Sequence, residues 1–144
     1  MRRLNDKRGF TLIEIMVVVV ILGILAGIVV PRLLDRPEEA RRTKATVQIK
    51  SLEEALGLFK LDNGFYPTTE QGLQALVSKP TSGRNAAKYR AGGYIKKVPL
   101  DPWENAYLYL SPGVHGDFDL ISYGPDGETG GEGDDADIEN WNID

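Results

Sequence analysis

Cysteine is absent from the 144-residue sequence, and histidine occurs only once, as His115. Without cysteine the chain can form neither a disulfide framework nor a thiolate metal site, while its redox compartment stays open. A single histidine in a glycine-rich turn, with no thiol and no recognisable nucleophile elbow, argues against an enzyme. We therefore expect His115 to be a surface turn residue rather than a catalyst.

Basic side chains are absent from residues 117–144, whose ten aspartates and glutamates give a charge of −10. Because the whole chain carries −4, residues 1–116 carry +6. An acidic tail repels nucleic acid and attracts cations. We therefore expect no nucleic-acid partner, and we expect the tail to suit cations.

Charge is also scarce in residues 10–30, an apolar run of 21 residues whose one ionisable side chain is Glu14. As a helix this run is ~31 Å long, enough to cross the hydrocarbon core of a bilayer. Residues 1–9 carry +3, which favours a cytoplasmic N-terminus. A carboxylate inside such a run costs roughly 2.5–3.5 kcal/mol, so Glu14 needs a partner.

Three other kinds of segment compete with this interpretation. A secretory signal peptide has an apolar region of only about 7–15 residues, although residues 25–27 could imitate its cleavage site. A plain signal anchor fits the length but leaves Glu14 unexplained. A buried core helix is disfavoured because the run has no polar face beyond Glu14.

The segment KRGFTLIE, residues 7–14, resembles the cleavage and methylation site of type IV prepilin-like proteins. The resemblance implies that a prepilin peptidase cuts between Gly9 and Phe10 on the cytoplasmic side and methylates the new amine of Phe10. Glu14 then becomes the fifth residue of the mature chain, about one helical turn from that amine. We predict that Glu14 pairs with the N-terminal amine of an adjacent subunit in a filament, where an unpaired charge would be costly.

Gly23, Gly27 and Pro31 are spaced four residues apart on one helical face. Pro31 removes a backbone donor and clashes with the carbonyl of Gly27, so residues 23–31 are expected to be the weakest part of the helix. By resemblance to the family, this segment could lose helicity on assembly. A simple kink at the membrane surface explains the pattern equally well.

Beyond Pro31, apolar residues recur at the three- and four-residue spacing of a helix with one buried stripe. The stripe consists of Ala45, Ile49, Leu52, Leu56 and Phe59, and stop signals follow at residues 62–64. We expect residues 10–61 to form one long, interrupted helix. The basic residues that follow the apolar run are expected to form a solvated face near lipid phosphates, or to pair with acidic residues of a neighbouring subunit: Arg32, Arg36, Arg41, Arg42 and Lys44.

The remaining sequence predicts a small α+β domain. Thr68 and Gln71 have capping-box spacing before a brief helix, residues 79–93 are expected to be a loop, and Trp103 is expected to plug the core. Strands are predicted at residues 106–110 and 118–123, with a third near residues 140–142. Together they would form an antiparallel sheet packed on the helix stripe.

Residues 124–137 interleave six acidic side chains with glycines between two predicted strands. Composition alone favours a disordered acidic linker, whereas carboxylates alternating with glycines also suit a calcium loop. The segment partly imitates an EF-hand loop and one calcium-binding nonapeptide repeat. Both matches are coincidental, because no helices flank the loop and a single repeat cannot stack.

Two further segments, YPTTEQGLQAL at residues 66–76 and GGYIKKVPLDPW at residues 92–103, resemble the major pseudopilins of type II secretion systems. The resemblance covers residues 9–141 and implies a type IV pilin-like fold. It also implies a Ca²⁺ site formed by Asp126 and Asp137, with main-chain carbonyls near Tyr123 and Glu128 and with Asp134 as a further candidate ligand. One departure is Glu104, where the family usually has glycine, which leaves the geometry of that turn open.

The resemblance predicts three regions: a cleaved leader at residues 1–9, a transmembrane and filament-core helix at 10–31, and a periplasmic domain at 32–144. The chain would be a structural subunit of the type II secretion pseudopilus, held in the bacterial inner membrane with its N-terminus cytoplasmic until assembly. Expected partners are further copies of the chain, minor pseudopilins, prepilin peptidase, and an inner-membrane assembly platform with a cytoplasmic ATPase. The alternatives are a type IV pilin of a surface fibre or competence pilus, which commonly carries a cysteine pair, and a membrane-anchored binding module, which would not need Glu14.

Overall fold

The computed structural model describes residues 9–34 and 36–143, and the side chains of residues 29–36 lie outside that description. The chain divides into two compact units, Met1–Pro37 and Glu38–Asp144. The elements are helices α1 (Leu12–Leu34) and α2 (Arg36–Asn63), a first 3₁₀ helix (Leu73–Leu76), strands β1 (Leu108–Leu110) and β2 (Asp119–Ser122), a second 3₁₀ helix (Gly133–Asp135), and strand β3 (Ile138–Glu139).

Helix α1 carries the apolar run, and its side chains are exposed from Leu12 to Ile28. Residues 23–31 are helical in the single chain. The loss of helicity predicted for this segment concerns the assembled filament, and it stays a prediction. Measured over the described residues, no helix combines the length and hydropathy needed to cross a membrane. The predicted span at residues 10–30 extends past Ile28 into side chains outside those described, and it also stays a prediction.

Helix α2 supplies the core of the second unit, and the predicted stripe is confirmed. Ala45, Ile49, Leu56 and Phe59 are completely buried, and Leu52 nearly so. The helix ends at Asn63, as the stop signals predicted, and Gly64 follows with a φ of +83°. At this end the Phe59 ring meets an aromatic cluster, with the rings of Phe65 and Tyr94 centred 5.6 and 5.4 Å away.

The predicted capping box is present as two reciprocal hydrogen bonds. The Thr68 N–H donates to Gln71 Oε1 at 3.1 Å, and the Gln71 N–H donates to Thr68 Oγ1 at 3.2 Å. The box closes a turn ahead of the first 3₁₀ helix, whose own N-cap is Gly72. Residues 79–93 contain no regular helix or strand, as expected.

The sheet is antiparallel, in the order β1-β2-β3, and both β1 and β3 pair with β2. Its inward side chains, among them Tyr109, Leu120 and Ile138, join the core formed by the α2 stripe. The fold is therefore α+β, with helices and a small antiparallel sheet.

The third strand was predicted too far along the chain, because it occupies Ile138–Glu139 rather than residues 140–142. Asn140 accounts for the difference. Its side-chain Oδ1 accepts the Leu120 N–H at 2.9 Å, and its own N–H donates to Leu120 O at 3.0 Å, so it completes the pairing with β2. The chain then turns, closed by a bond from the Asn142 N–H to Glu139 O. The other two strands are shorter than predicted but lie where they were expected.

Glu104 adopts a left-handed backbone conformation, with φ of +68°, in a turn closed by its N–H bond to Asp101 O at 3.0 Å. Left-handed geometry costs a residue with a Cβ roughly 1–2 kcal/mol, whereas glycine adopts it freely. Glutamate at this position, where the family usually has glycine, is therefore strained, whereas glycine would not be strained.

We expect Glu104→Gly to raise the free energy of unfolding by roughly 0.5–1 kcal/mol, because the relief of strain exceeds the extra chain entropy of glycine. The melting temperature should rise by about 4 °C, measured by circular dichroism. Glu104→Asn, which tolerates the same geometry better than glutamate does, should fall between the two. A lower melting temperature for Glu104→Gly would contradict this explanation.

Candidate functional site

The N-terminal segment presents an open peptide bond ahead of α1. Phe10 is 80% exposed, and apart from Gly9's chain neighbours no atom of the described residues lies within 4 Å of where a Gly9 side chain would start. Helix α1 is capped by Thr11 and Glu14, since the Glu14 N–H donates to Thr11 Oγ1 at 3.3 Å and the Thr11 N–H lies 3.4 Å from Glu14 Oε2. The Gly9–Phe10 bond is therefore accessible to a peptidase, while the basic residues before Gly9 lie outside the described residues.

The acidic loop, residues 124–137, is ordered by its own aspartates. Asp126 Oδ1 accepts the Glu128 N–H at 3.2 Å, and Asp137 Oδ2 accepts the Gly130 N–H at 2.9 Å. The loop is thus folded between β2 and β3, which contradicts the disordered linker that composition alone favoured.

Asp137 carries the feature that best fits a cation. Its second oxygen, Oδ1, is buried and has no hydrogen-bond partner among the described residues. A buried, unpartnered carboxylate oxygen needs a compensating ligand, such as an ion or a water molecule. The described residues contain no group of three or more histidine, aspartate or glutamate side chains gathered to hold a metal. A metal at Asp137 would therefore draw on main-chain carbonyls as well as carboxylates.

Arg42 of α2 fixes the end of the acidic loop. Its Nη1 donates to the carbonyl oxygens of Asp134 and Ala136, at 3.0 and 2.8 Å. This contact within one subunit differs from the solvated face expected for Arg42, while Arg41 is exposed and pairs with Glu38 at 3.3 Å. Nothing in the sequence could signal the Arg42 contact, because its partners lie more than 90 residues away.

Asp101 is a buried carboxylate that ties the turn at residues 101–105 to the start of the acidic loop. Its Oδ2 accepts the Ser122 hydroxyl at 2.7 Å, and its Oδ1 accepts the Asn105 N–H at 2.8 Å. Ser122 Oγ in turn accepts the Gly124 N–H at 3.3 Å. The sequence indicated only a turn at Asp101 and missed its role in holding the loop.

A second buried carboxylate, Asp119, organises the turn between β1 and β2. It accepts the N–H groups of Val114 and His115 at 2.9 and 3.1 Å, and His115 Nδ1 lies 3.0 Å away. Burial alone would raise the pKa of Asp119, but these hydrogen bonds outweigh it and hold the pKa below its ordinary value of 3.8. The His115 ring stacks on Trp141 at 3.8 Å, so this residue is a structural clamp as well as a surface turn residue.

We expect Asp119→Asn to lower the free energy of unfolding at pH 7 by about 2 kcal/mol, because charge-assisted bonds are lost and an amide donor faces N–H groups. The pKa of Asp119 is lower in the folded than in the unfolded state. Its stabilisation is therefore full above about pH 4 and is lost as the pH falls through the folded-state pKa.

Urea unfolding of both proteins from pH 7 to pH 2 measures this effect. The gap in unfolding free energy between wild type and Asp119→Asn should shrink in acid. A gap that stayed constant down to pH 2 would show that the Asp119 charge does not stabilise the fold.

Comparison with known proteins identifies both parts of the chain. Residues 32–141 match the family described as type II secretion system (T2SS), protein G, and residues 4–30 match the prokaryotic N-terminal methylation motif. The chain is 57% identical to the type II secretion system core protein G of Vibrio cholerae over 143 residues, covering 99% of this chain and 97% of that protein. The core protein G of Pseudomonas aeruginosa is also 57% identical, over 95% of this chain and 96% of that protein.

The fold has a solved counterpart. The crystal structure of the major pseudopilin from the type 2 secretion system of enterohaemorrhagic Escherichia coli matches with a TM-score of 0.69 and 45% identity, covering 78% of this chain and 96% of that one. The type IV pilin-like fold expected from the sequence is thereby confirmed. With its family model matched over most of its length and relatives more than half identical, the chain belongs to the type II secretion system protein G family.

Proposed function

We propose that the chain is a structural subunit of a pseudopilus. This is a periplasmic helical filament whose growth helps a type II secretion system to drive folded proteins across the outer membrane. The observation that carries the proposal is the apolar helix α1, whose described side chains are exposed and most of which lies within the matched methylation motif, residues 4–30. A monomer in water would not leave so much apolar surface uncovered. Lipid before assembly, and other copies of α1 after it, would cover that surface.

Processing would begin at the exposed Gly9–Phe10 bond. Cleavage there by a prepilin peptidase creates an ammonium at Phe10, which the enzyme then methylates. Before assembly the chain would span the inner membrane once, with its N-terminus cytoplasmic and its domain periplasmic. After assembly it would lie in the periplasmic filament.

The drive for assembly would not be the hydrophobic effect, because a filament core is no more apolar than lipid tails. Close helix packing and charge pairing would determine the position of each subunit. Glu14 is the one described carboxylate in α1, so pairing with the new amine of a neighbour would fix the register. Energy for extraction from lipid would come from the assembly platform and its ATPase, and minor pseudopilins would be further partners.

Ca²⁺ would complete the acidic loop. Asp137, with its buried unpartnered Oδ1, and Asp126 would be the carboxylate ligands, with carbonyls near Tyr123 and Glu128 and Asp134 as a further candidate. The bound ion would neutralise part of a segment that carries six acidic side chains within 14 residues. Its role would be structural, in keeping with a subunit that performs no catalysis.

The proposal is tested by expressing the full chain in a bacterium that lacks its own major pseudopilin but retains the rest of a type II secretion system. We expect restored secretion of a folded enzyme into the medium and, on overexpression, filaments that can be sheared from the cells. A Gly9→Val variant, which blocks cleavage, should stay in the membrane and restore neither. Restored secretion by the uncleaved variant would contradict the proposal.

A further inference from the structure

The second unit, Glu38–Asp144, separates its charges into two blocks. Residues 79–97, the basic segment, contain six cations and no acidic residue: Lys79, Arg84, Lys88, Arg90, Lys96 and Lys97. The acidic loop, residues 124–137, contains six carboxylates and no cation: Asp126, Glu128, Glu132, Asp134, Asp135 and Asp137. Two blocks of opposite charge in one chain can attract each other within a subunit or between subunits. Where the blocks lie in the fold determines which of these two contacts can form.

The basic segment lies at the C-terminal end of α2. The Lys88 N–H donates to Asn63 Oδ1 at 3.2 Å, and the Arg84 guanidinium lies over the Phe65 ring, 4.3 Å from its centre. Asn63 is the last residue of α2, and Phe65 lies two residues beyond it. The Arg84 guanidinium and the main chain of Lys88 therefore lie around the point where the helix ends.

The acidic loop contacts α2 nearer its other end, through the two carbonyls that Arg42 binds. Between Arg42 and Asp62 the helix rises by ~30 Å. Arg84 and Lys88 are therefore too far from this contact to neutralise the acidic loop within one subunit. Each subunit instead carries these two cations at one end of α2 and the acidic loop toward the other.

The basic end has a cleft of about 310 Å³, lined by Lys60 and Arg84, which lie over the rings of Tyr66 and Phe65 at 4.4 and 4.3 Å. Asp117 also lines this cleft and pairs with Lys60, so Arg84 is the cation that the cleft offers to an acidic partner. Stacking on a ring limits the freedom of a cation and leaves its donors available to an acidic partner. Leu61, 78% exposed, shares an adjoining cleft with Lys88 and adds apolar surface.

Internal pairing leaves part of this charge unused. Lys60 pairs with Asp117 at 3.1 Å and Arg90 with Asp62 at 3.4 Å. In the part of the chain that the structure describes, no salt bridge joins Arg84 or Lys88 to an acidic side chain. On the acidic loop, the side chains from Asp126 to Asp135 are exposed.

We propose that the basic end of one subunit, centred on Arg84 and Lys88, docks on the acidic loop of the next copy, centred on Glu132 and Asp135. The proposal rests on the proposed function, since it requires copies of the chain to assemble. Complementary patches at opposite ends of a subunit form a head-to-tail contact, which propagates as an open helical filament when the rotation between subunits does not close into a ring. The contact would also give the filament its direction.

Disulfide crosslinking tests the contact directly, because the chain has no cysteine of its own. The full chain with both Lys88→Cys and Glu132→Cys is assembled into filaments and oxidised. We expect a ladder of covalent multimers, whereas each single variant stays monomeric. The control pair combines Glu132→Cys with Lys79→Cys, because Lys79 belongs to the same segment but lines a different cleft with Glu70 and Gln74. The control should give no ladder.

Charge reversal tests the energetics. Lys88→Glu should reduce sheared filament by roughly tenfold, adding Glu132→Lys should restore it, and Lys79→Glu should leave it unchanged. Unchanged melting temperatures of the variants show that folding is intact. Two results would overturn the docking while leaving the proposed function intact. One is abundant filament that gives no ladder of crosslinked multimers. The other is a loss of filament with Lys88→Glu that Glu132→Lys does not restore, which would indicate another partner, such as anionic lipid. If the unmodified chain forms no filament, both fail.

Discussion

Replacing Glu14 with glutamine is expected to reduce filament assembly by at least about a hundredfold while leaving cleavage after Gly9 intact. Removing one partner of a buried ion pair leaves an uncompensated charge, at a cost of roughly 3–5 kcal/mol, and each ~1.4 kcal/mol is a factor of ten. In the filament the charge left alone would be the Phe10 amine of the neighbouring subunit. The measurement is the amount of sheared filament against the processed chain retained in the membrane.

Glutamine is the informative substitution because Glu14 also caps its own helix. The structure places Glu14 and Thr11 in reciprocal contact at the start of α1. Glutamine can cap in the same way, so Glu14→Gln removes the charge and keeps the cap. The matched control is Thr11→Ala, which removes a capping hydroxyl worth about 1 kcal/mol and keeps the charge. If Thr11→Ala abolished assembly and Glu14→Gln did not, capping would be the role of Glu14.

The second large effect concerns calcium. If Ca²⁺ at about a hundred times its dissociation constant binds only the folded chain, it adds ~2.7 kcal/mol to stability. Chelation should therefore lower the melting temperature of the full chain in detergent by roughly 10 °C or more. The physical reason is that, without the ion, Asp137 would again have a buried carboxylate oxygen with no partner. The carboxylates of the acidic loop would also repel one another again.

Two variants separate this effect from a general loss of acidic charge. Asp137→Asn should abolish the calcium dependence of the melting temperature, because it removes a proposed ligand. Glu132→Gln removes one negative charge from the same loop but no proposed ligand, so it should keep the dependence. Chelation that left the wild-type melting temperature unchanged would contradict the calcium site.

Helical structure was the most predictable part of the fold. The α2 stripe, its end at Asn63 and the capping box at Thr68 each depend on residues within about one turn of each other, and all three are confirmed. The rest of the architecture was predicted from the family resemblance. The segments that carry the resemblance lie in loops and turns, which secondary-structure propensities describe poorly.

Contacts between distant residues were missed. The bonds from Arg42 to the acidic loop and from Ser122 to Asp101 join residues that no local pattern connects. The predicted position of β3 was wrong because the Asn140 side chain, rather than its main chain alone, continues the pairing with β2. A pattern of strand-forming residues does not reveal such a side-chain bond. His115 was expected to be a simple surface residue, and its stacking on Trp141 depends on the turn that the Asp119 carboxylate organises.

Intact mass spectrometry of the chain purified from assembled filaments tests the central claim most directly. Cleavage after Gly9 with methylation of Phe10 predicts a loss of residues 1–9 and the gain of one methyl group, located on the N-terminal peptide by fragmentation. An N-terminus at Met1, or a cut after Ala26, would contradict the assignment of Glu14 as the fifth residue of a pseudopilus subunit.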